Sequence, residues 1–294
     1  MIVVYSPRYE LTLPGHVWPT SKYRSIAAAL QADPGPPRVT LVEPPPASWD
    51  DLGRVHRPEY LRKLREGGLT REEIATLELP WTAGMADVFR LMAGGTIAAA
   101  EAALGDGAAA HLGGGLHHAF ANHGEGFCPI NDIAVAIRVL QHRRRIRRAA
   151  VVDLDVHHGN GTAMIFDGDA SVFTFSMHQQ HNYPVFKPRG DLDIGLDTGI
   201  GDAVYLSRLT AALPRVLASR PDVAIYVAGA DPFEGDRLGG LKLTKAGLLA
   251  RDRLVVDAAR GAGIPIAAVL AGGYAADAGD TVDIHVNTIR ALLP

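Results

Sequence analysis

One stretch of the sequence reads Ala149-Ala150-Val151-Val152-Asp153-Leu154-Asp155-Val156-His157-His158-Gly159-Asn160-Gly161. It begins as a run of small and β-branched apolar residues, which is typical of a buried strand. It then changes into aspartates, histidines, glycines and an asparagine, a composition typical of a functional loop. Asp155 and His157 are two positions apart, so on extended backbone their side chains leave the same face. The stretch therefore predicts a strand whose carboxyl end carries a polar site.

Short apolar runs of this kind alternate with longer helical patterns along the chain. The predicted strands are Ile2–Tyr5, Val39–Val42, Ala149–Asp155, Val172–Phe175, Val223–Val227 and Pro265–Leu270. The predicted helices are Ser21–Gln31, Pro58–Glu66, Met85–Leu104, Asp132–Arg143, Ala203–Leu217, Lys245–Arg260 and Val282–Leu292. Such alternation predicts one α/β domain over residues 1–294, with a mostly parallel β-sheet and helices on both of its faces.

Unusual polar residues follow four of the predicted strands. They are Asp153 to Asn160, Ser176 with His178, Asp231, and Gly272-Gly273-Tyr274. In open α/β sheets, functional residues gather in the loops that leave the carboxyl ends of the strands. We therefore expect these four groups to meet at one edge of the sheet.

Asp155 and His157 would need a third metal ligand from another strand, and Asp231 is the best candidate. It directly follows an apolar run, where a buried carboxylate is costly unless it is paired or metal-bound. Two carboxylates and one imidazole would leave a metal ion with an open coordination position, as catalytic sites require. The alternative interpretation is that Asp231 caps a turn before Pro232.

A second histidine pair, His117-His118, follows three glycines, Gly113 to Gly115. Both rings could face one cavity, each with an acceptor that orients its second nitrogen. Asp153 and Asn160 suit that purpose, because a carboxylate favours the imidazolium whereas a neutral amide leaves its histidine easier to deprotonate. A purely structural pair is the alternative. Similarly, Tyr274 either reaches into the cleft with its hydroxyl or packs as an aromatic lid.

Charge and cysteine content narrow the class of protein. The formal net charge of −3 over 294 residues gives no case for binding nucleic acid or an anionic membrane. The one dense basic run, His142–Arg148, is interpreted as a solvated helix end. The single cysteine, Cys128, excludes an internal disulfide and suits a reducing compartment. The N-terminus lacks the pattern of a signal peptide and no run reaches membrane-spanning length, so we expect a cytoplasmic protein.

Taken together, six motifs resemble the histone deacetylase superfamily of metal-dependent deacylases, which has the arginase/deacetylase fold. The motifs run in that family's order and span almost the whole chain. They are Gly114-Gly115-Leu116-His117-His118, Gly126-Phe127-Cys128 with Asn131-Asp132, Asp153 to Gly161, Ser176-Met177-His178, Gly229-Ala230-Asp231 and Gly272-Gly273-Tyr274. Near the N-terminus, Pro19 with Lys22-Tyr23 resembles the bacterial and class IV branch.

The resemblance implies a role for each candidate residue. Asp155, His157 and Asp231 would bind Zn²⁺ or Fe²⁺, and the ion would activate water and polarise the scissile amide. His118 would be the general base. His117, oriented by Asp153, would assist electrostatically or protonate the leaving amine, and Tyr274 would stabilise the oxyanion. Substrate would contact Gly126, Phe127 and Tyr183, the last of which aligns only through its Tyr-Pro end.

The same resemblance implies further partners and leaves alternatives open. A structural K⁺ would lie near Asp153 and Ser176, held mostly by backbone carbonyls. The expected substrate is an acylated lysine peptide or a small acylated amine, and a monomer is expected. A catalytically silent acyl-lysine binder is one alternative. A dinuclear ureohydrolase is another, although Gly159 stands where the related arginases place a carboxylate for a second metal ion.

Overall fold

The computed structural model describes residues 1–32 and 39–294, and these form a single eight-stranded sheet. All neighbouring strands in it run parallel. In chain order the strands are β1 (Ile2–Val4), β2 (Thr40–Val42), β3 (Ala108–His111), β4 (Ala149–Asp153), β5 (Val172–Gln179), β6 (Leu192–Leu196), β7 (Val223–Val227) and β8 (Ile266–Val269). Their order across the sheet is β2-β1-β3-β8-β7-β4-β5-β6.

Helices cover both faces of the sheet, as the alternating pattern predicts. The α-helices are α1 (Lys22–Ala32), α2 (Trp49–Leu52), α3 (Pro58–Glu66), α4 (Arg71–Leu77), α5 (Ala83–Asp106), α6 (Asp132–His142), α7 (Asn160–Ile165), α8 (Asp202–Ala218), α9 (Lys245–Gly261) and α10 (Ala278–Leu292). One face of β4, with Val151, packs against α5 and α6, and the other, with Val152, packs against α8 and α9. The prediction of an α/β fold built on a parallel sheet is thus confirmed.

Two strands, β3 and β6, were not predicted from the sequence, each for a different physical reason. β3 is a short, alanine-rich strand that directly follows α5, so its composition reads as a continuation of that helix. β6 is the edge strand and alternates buried with exposed positions, and its aspartate and glycine are uncommon in strands. Without these two strands the predicted sheet has fewer strands, but it is still a parallel sheet.

One helix among the described residues, α5, is long and apolar enough to cross a membrane by length and composition. Charged residues such as Arg90 and Glu101 interrupt its apolar stretch, which is why no membrane-spanning run was predicted from the sequence. In the structure 61% of the apolar window is buried, and α5 packs against α6, β3, β8 and β1. It is therefore the core helix of one face of the sheet.

The loops at the carboxyl edge of the sheet are fixed by buried polar side chains. Asp132, at the start of α6, accepts hydrogen bonds from the backbone amides of Gly115 (3.1 Å) and Leu116 (2.7 Å). Arg251, fully buried on α9, donates to the carbonyl oxygen of Gly229 (2.6 Å) and, at 3.3 Å, to that of Leu154. A buried donor that bridges two loops in this way holds the ends of β4 and β7 in register.

A close backbone approach gives a test of the packing around α5. A Cβ added to Gly94 would lie 1.9 Å from the carbonyl oxygen of Pro45, so the Gly94→Ala substitution must displace backbone. We expect it to lower the free energy of unfolding by about 1–3 kcal/mol, as overpacking does. The matched control is Gly105→Ala in the same helix, where nothing lies within 4 Å of the added Cβ. Denaturant unfolding of both variants makes the comparison, and equal stability of the two would contradict this packing.

Candidate metal centre and active site

Two carboxylates and one imidazole, from the ends of two strands, lie together at the carboxyl edge of the sheet. They are Asp155 and His157 after β4, and Asp231 after β7, and their potential ligand atoms all lie within 4.8 Å of one another. His157 Nδ1 is 3.0 Å from Asp155 Oδ1 and 3.3 Å from Asp231 Oδ2. β4 and β7 are neighbours, with Asp153 opposite Val227, so the pairing of these strands creates the cluster.

The remaining carboxylate oxygens of the cluster are fixed by backbone amides. Asp231 Oδ1 accepts from the amide of Val156 at 2.9 Å, and Asp155 Oδ2 accepts from the amide of Gly272, also at 2.9 Å. Asp231 Oδ2, in contrast, is buried and accepts no hydrogen bond from the residues that the structure describes. Such a group is costly to bury without a partner.

The cluster fits a divalent cation. A Cβ at Gly272 would lie 1.9 Å from Asp231 Oδ2 and 2.6 Å from Asp155 Oδ2, so the glycine leaves free the space that these oxygens face. One imidazole nitrogen with carboxylate oxygens is a donor set that suits Zn²⁺ or Fe²⁺. The unpaired oxygen and the open space beside it are what a metal site requires.

The negative charges of the two carboxylates in the cluster also favour a positive charge beside them. Burial, together with the neighbouring Asp155, raises the pKa of Asp231 to about 7. Burial alone would lower the pKa of His157, but its hydrogen bond with Asp155 and the negative charges of Asp155 and Asp231 raise it to about 10. Without a metal ion, a proton on His157 thus compensates part of the negative charge of Asp155 and Asp231.

The second histidine pair lies beside this cluster, and its two rings have different partners. His117 Nδ1 lies 2.7 Å from Asp153 Oδ2, whereas His118 Nδ1 lies 2.7 Å from Asn160 Oδ1. The Nε2 atoms of the two rings are 3.1 Å apart. Each of the two acceptors expected from the sequence, Asp153 and Asn160, therefore lies against one of the histidines.

These partners separate the two rings electrostatically. Burial would lower the pKa of His117, but the charge and hydrogen bond of Asp153 outweigh it and raise the pKa to about 9. Burial, reinforced by the positive charges of His117 and His157, holds the pKa of His118 well below its usual value. At neutral pH the pair is consequently one imidazolium beside one neutral imidazole.

A cavity of about 300 Å³ opens onto both histidines and onto Asp155 and His157. Its walls are largely aromatic and apolar. They include Trp18, Phe127, Tyr183, Leu238 and Tyr274. A Cβ at Gly126 would lie 2.8 Å from the Tyr183 ring and 2.9 Å from His118 Cδ2, so only glycine fits at this point of the wall. The substrate-contacting residues expected from the sequence, including the weakly aligned Tyr183, thus share one cavity.

Tyr274 also lines this cavity, directly after the glycines that make room for the metal cluster. Its backbone amide donates to Asp236 Oδ2 at 2.6 Å, and its ring meets Phe127 edge to face. Burial and the charges of Asp155 and Asp231 raise the pKa of its hydroxyl well above the usual value, so the phenol keeps its proton. A protonated phenol can donate a hydrogen bond into the cavity.

Sequence reasoning missed three charged residues near the site. The ammonium of Lys22 is buried and donates to the carbonyl oxygen of Ala271 at 2.7 Å, and burial lowers its pKa to about 8. Glu78 lines the cavity, and Glu125 lies behind its wall. Lys22 was quoted only as part of the N-terminal resemblance, and Glu125 stands next to a quoted motif, but a sequence does not show that a charged side chain is buried. Glu78 follows a helix that was not predicted.

Comparison with known proteins places the chain in the histone deacetylase family. A family model for the histone deacetylase domain matches residues 16–289. An uncharacterised protein of Picosynechococcus is 43% identical, with 98% of this chain and 97% of the relative covered. Histone deacetylase 2 of Arabidopsis thaliana is 34% identical over 92% of this chain and 74% of its own length. The crystal structure of the HDA15 HD domain superposes with a TM-score of 0.81 and 25% identity, covering 99% of this chain and 90% of the other.

The metal site can be tested without any substrate. Saturating Zn²⁺ should raise the melting temperature of the metal-free protein by about 5–10 °C, since a ligand at 100-fold its Kd adds about 2.7 kcal/mol. Asp231→Asn removes a carboxylate from the cluster and should abolish that rise. Asp193→Asn on β6, whose carboxylate pairs with His158 away from the cluster, is the control and should retain it. An undiminished zinc-dependent rise in the Asp231→Asn variant would contradict the assignment.

Proposed function

This chain belongs to the histone deacetylase family, and we propose that it is a metal-dependent amidohydrolase that removes the acyl group from an acylated lysine or a related small amine. The observation that carries the proposal is that the candidate metal cluster and the histidine pair share one cavity. The buried Asp155, His157 and Asp231 cluster and the differently partnered His117 and His118 open into one narrow, mostly apolar cavity.

We assign the metal ion to Asp155, His157 and Asp231. When bound there, a cation such as Zn²⁺ or Fe²⁺ supplies Lewis acidity, which polarises an acyl carbonyl and makes water a stronger acid. The family resemblance also implies a monovalent cation near Asp153 and Ser176, and this remains a prediction. In the structure the Ser176 hydroxyl is already hydrogen-bonded to His178 Nδ1 at 2.9 Å, so backbone carbonyls would have to supply most of its ligands.

The two histidines divide the proton transfers. His118, whose neutral ring carries no proton on Nε2, accepts the proton of the attacking water as general base. A carbon–oxygen bond to the acyl carbon forms, and the carbon–nitrogen bond of the amide then breaks. His117, held as imidazolium by Asp153, stabilises the developing negative charge and is the nearest donor for the leaving amine. The Tyr274 hydroxyl donates to the carbonyl oxygen as that oxygen becomes negative.

The lining of the cavity suits the slender alkyl chain of a lysine or a small amine. Phe127 and Tyr183 form aromatic walls of the cavity, and Gly126, which has no side chain, leaves space open beside His118. Such walls bury the methylene groups of a lysine or alkyl amine, each worth about 0.8 kcal/mol. Protein lysine and small polyamine substrates both meet these conditions, and so do acyl groups of different lengths.

The two alternatives fit the site less well. A silent acyl-lysine binder has no use for two buried histidines that differ in protonation. A dinuclear ureohydrolase would need a carboxylate at position 159, but a Cβ there would lie 2.3 Å from Asp153 Oδ2. The backbone at Gly159 is therefore packed too closely against Asp153 to present a second-metal ligand.

Turnover of a fluorogenic acyl-lysine peptide tests the proposal. We expect hydrolysis that a strong chelator abolishes and that Zn²⁺ or Fe²⁺ restores. Tyr274→Phe should lower kcat by about 10²–10³ while the bound metal is retained, because it deletes one oxyanion donor. Tyr5→Phe, at the end of β1 and outside the cavity lining, should leave kcat unchanged.

The outcome also separates the alternatives. Binding of the peptide without turnover would favour the silent binder. Two metal equivalents per chain with turnover of a guanidino substrate would favour the ureohydrolase. A profile from acetyl to myristoyl lysine and across acetylpolyamines then identifies the substrate class.

A further inference from the structure

Glu125 lies in a tight turn between the histidine pair and the aromatic wall. Its backbone forms a short antiparallel bridge with Cys128, and the two residues between them, Gly126 and Phe127, have φ angles of +50° and +68°. The turn is anchored to the end of α4, where the amide of Phe127 donates to the carbonyl oxygen of Leu77 at 2.8 Å. These bonds direct the Phe127 side chain into the cavity and leave Glu125 behind its wall.

One carboxylate oxygen of Glu125 accepts two hydrogen bonds from the site. Oε1 accepts from Asn160 Nδ2 at 3.0 Å and from the Tyr183 hydroxyl, also at 3.0 Å. The other oxygen, Oε2, faces His123 Nε2 at 3.7 Å. Burial would raise the pKa of Glu125, but the nearby His123 and the hydrogen bonds from Tyr183 and Asn160 outweigh it and lower the pKa. Glu125 is therefore a carboxylate at neutral pH and can only accept.

An acceptor at this position decides which way the Asn160 side chain faces. A primary amide has a donor end and an acceptor end of almost the same shape, so it can rotate by 180° unless its surroundings distinguish them. Glu125 accepts from the donor end, which leaves Asn160 Oδ1 directed at His118 Nδ1. The orientation that suits the histidine is thus fixed from the far side of the amide.

The amide orientation selects the tautomer of His118 together with His117, whose charged ring carries a proton on Nε2, 3.1 Å from His118 Nε2. A carbonyl oxygen 2.7 Å from Nδ1 requires the proton on Nδ1, so the lone pair of the neutral ring lies on Nε2, on the side facing His117. If Asn160 rotated, its NH₂ group would face Nδ1 and favour the opposite tautomer. That tautomer carries a proton on Nε2 and cannot act as a base from that atom.

We propose that Glu125 is a positioning residue, whose carboxylate fixes the Asn160 amide and thereby the His118 tautomer while it holds the Tyr183 wall by a second hydrogen bond. Its effect on the tautomer is independent of any reaction. Its effect on turnover rests on the hydrolase function proposed above.

A matched pair of substitutions isolates the acceptor. Glu125→Met keeps the size of the side chain and deletes both hydrogen bonds, and it should lower kcat by about 10–100-fold, as loss of an orienting partner does. Glu125→Gln can offer its Oε1 to the same two donors and turn its NH₂ group toward His123, so it should restore most of the rate. Glu66→Gln, an exposed glutamate on α3, is the control and should leave the rate unchanged. A full rate in Glu125→Met would overturn the proposal.

A double-mutant cycle tests the route through Asn160. A carboxylate at position 160 has no donor end, so in the Asn160→Asp background it needs no Glu125 to orient it and is repelled by that neighbour. Glu125→Met should then cost little, or should raise the rate relative to Asn160→Asp alone. An equal fold-loss in both backgrounds would show that Glu125 acts by another route.

Histidine side-chain ¹⁵N NMR at pH 7.5 reads the tautomer directly, with His118 identified by comparison with His118→Ala. The Zn²⁺-loaded wild type should show the Nδ1–H form, and Glu125→Met should shift the ring toward the Nε2–H form. An Nε2–H ring in the wild type, or an unchanged ring in a folded Glu125→Met variant, would overturn the proposal. If Glu125→Met fails to fold, Glu125→Ala is read in the same way. If the chain hydrolyses no acyl amide, the proposed function fails while this measurement still decides the role of Glu125.

Discussion

The site depends on one constraint, which is that two buried carboxylates, Asp155 and Asp231, lie within a few ångströms of each other and need a shared positive partner. The parallel pairing of β4 with β7 brings them together, and Arg251 holds the two loops beneath them. Hydrogen bonds from backbone amides satisfy part of their capacity, but Asp231 Oδ2 is left without one. Charge of this kind is stable in a protein interior only when a cation compensates it.

The groups around the metal cluster are oriented by hydrogen bonds from residues progressively farther from it. The carboxylate of Asp153 holds one imidazole as the charged form, while the amide of Asn160 leaves its neighbour neutral. Behind them, Glu125 determines which way that amide faces, and it also fastens an aromatic wall of the cavity. Each of these hydrogen bonds restricts the conformations of the side chain that it holds. The reacting groups therefore need little reorganisation when substrate binds.

Much of the fold and the clustering of the site followed from the sequence because apolar runs and the polar residues after them report strand ends. β4 and the aspartate after β7 could be read in this way. β3 could not, because alanines after a long helix carry no strand signal. Glu125 and Lys22 escaped because burial of a charge depends on contacts between distant segments, such as Lys22 with Ala271. Periodicity and spacing do not encode those contacts.

X-ray absorption at the metal edge of the Zn²⁺-loaded protein, combined with the metal content per chain, tests the central claim most directly. A single ion per chain with one imidazole nitrogen and otherwise oxygen ligands is the result that Asp155, His157 and Asp231 predict. A sulfur ligand, two or more imidazoles, or a second ion within about 4 Å of the first would contradict the account.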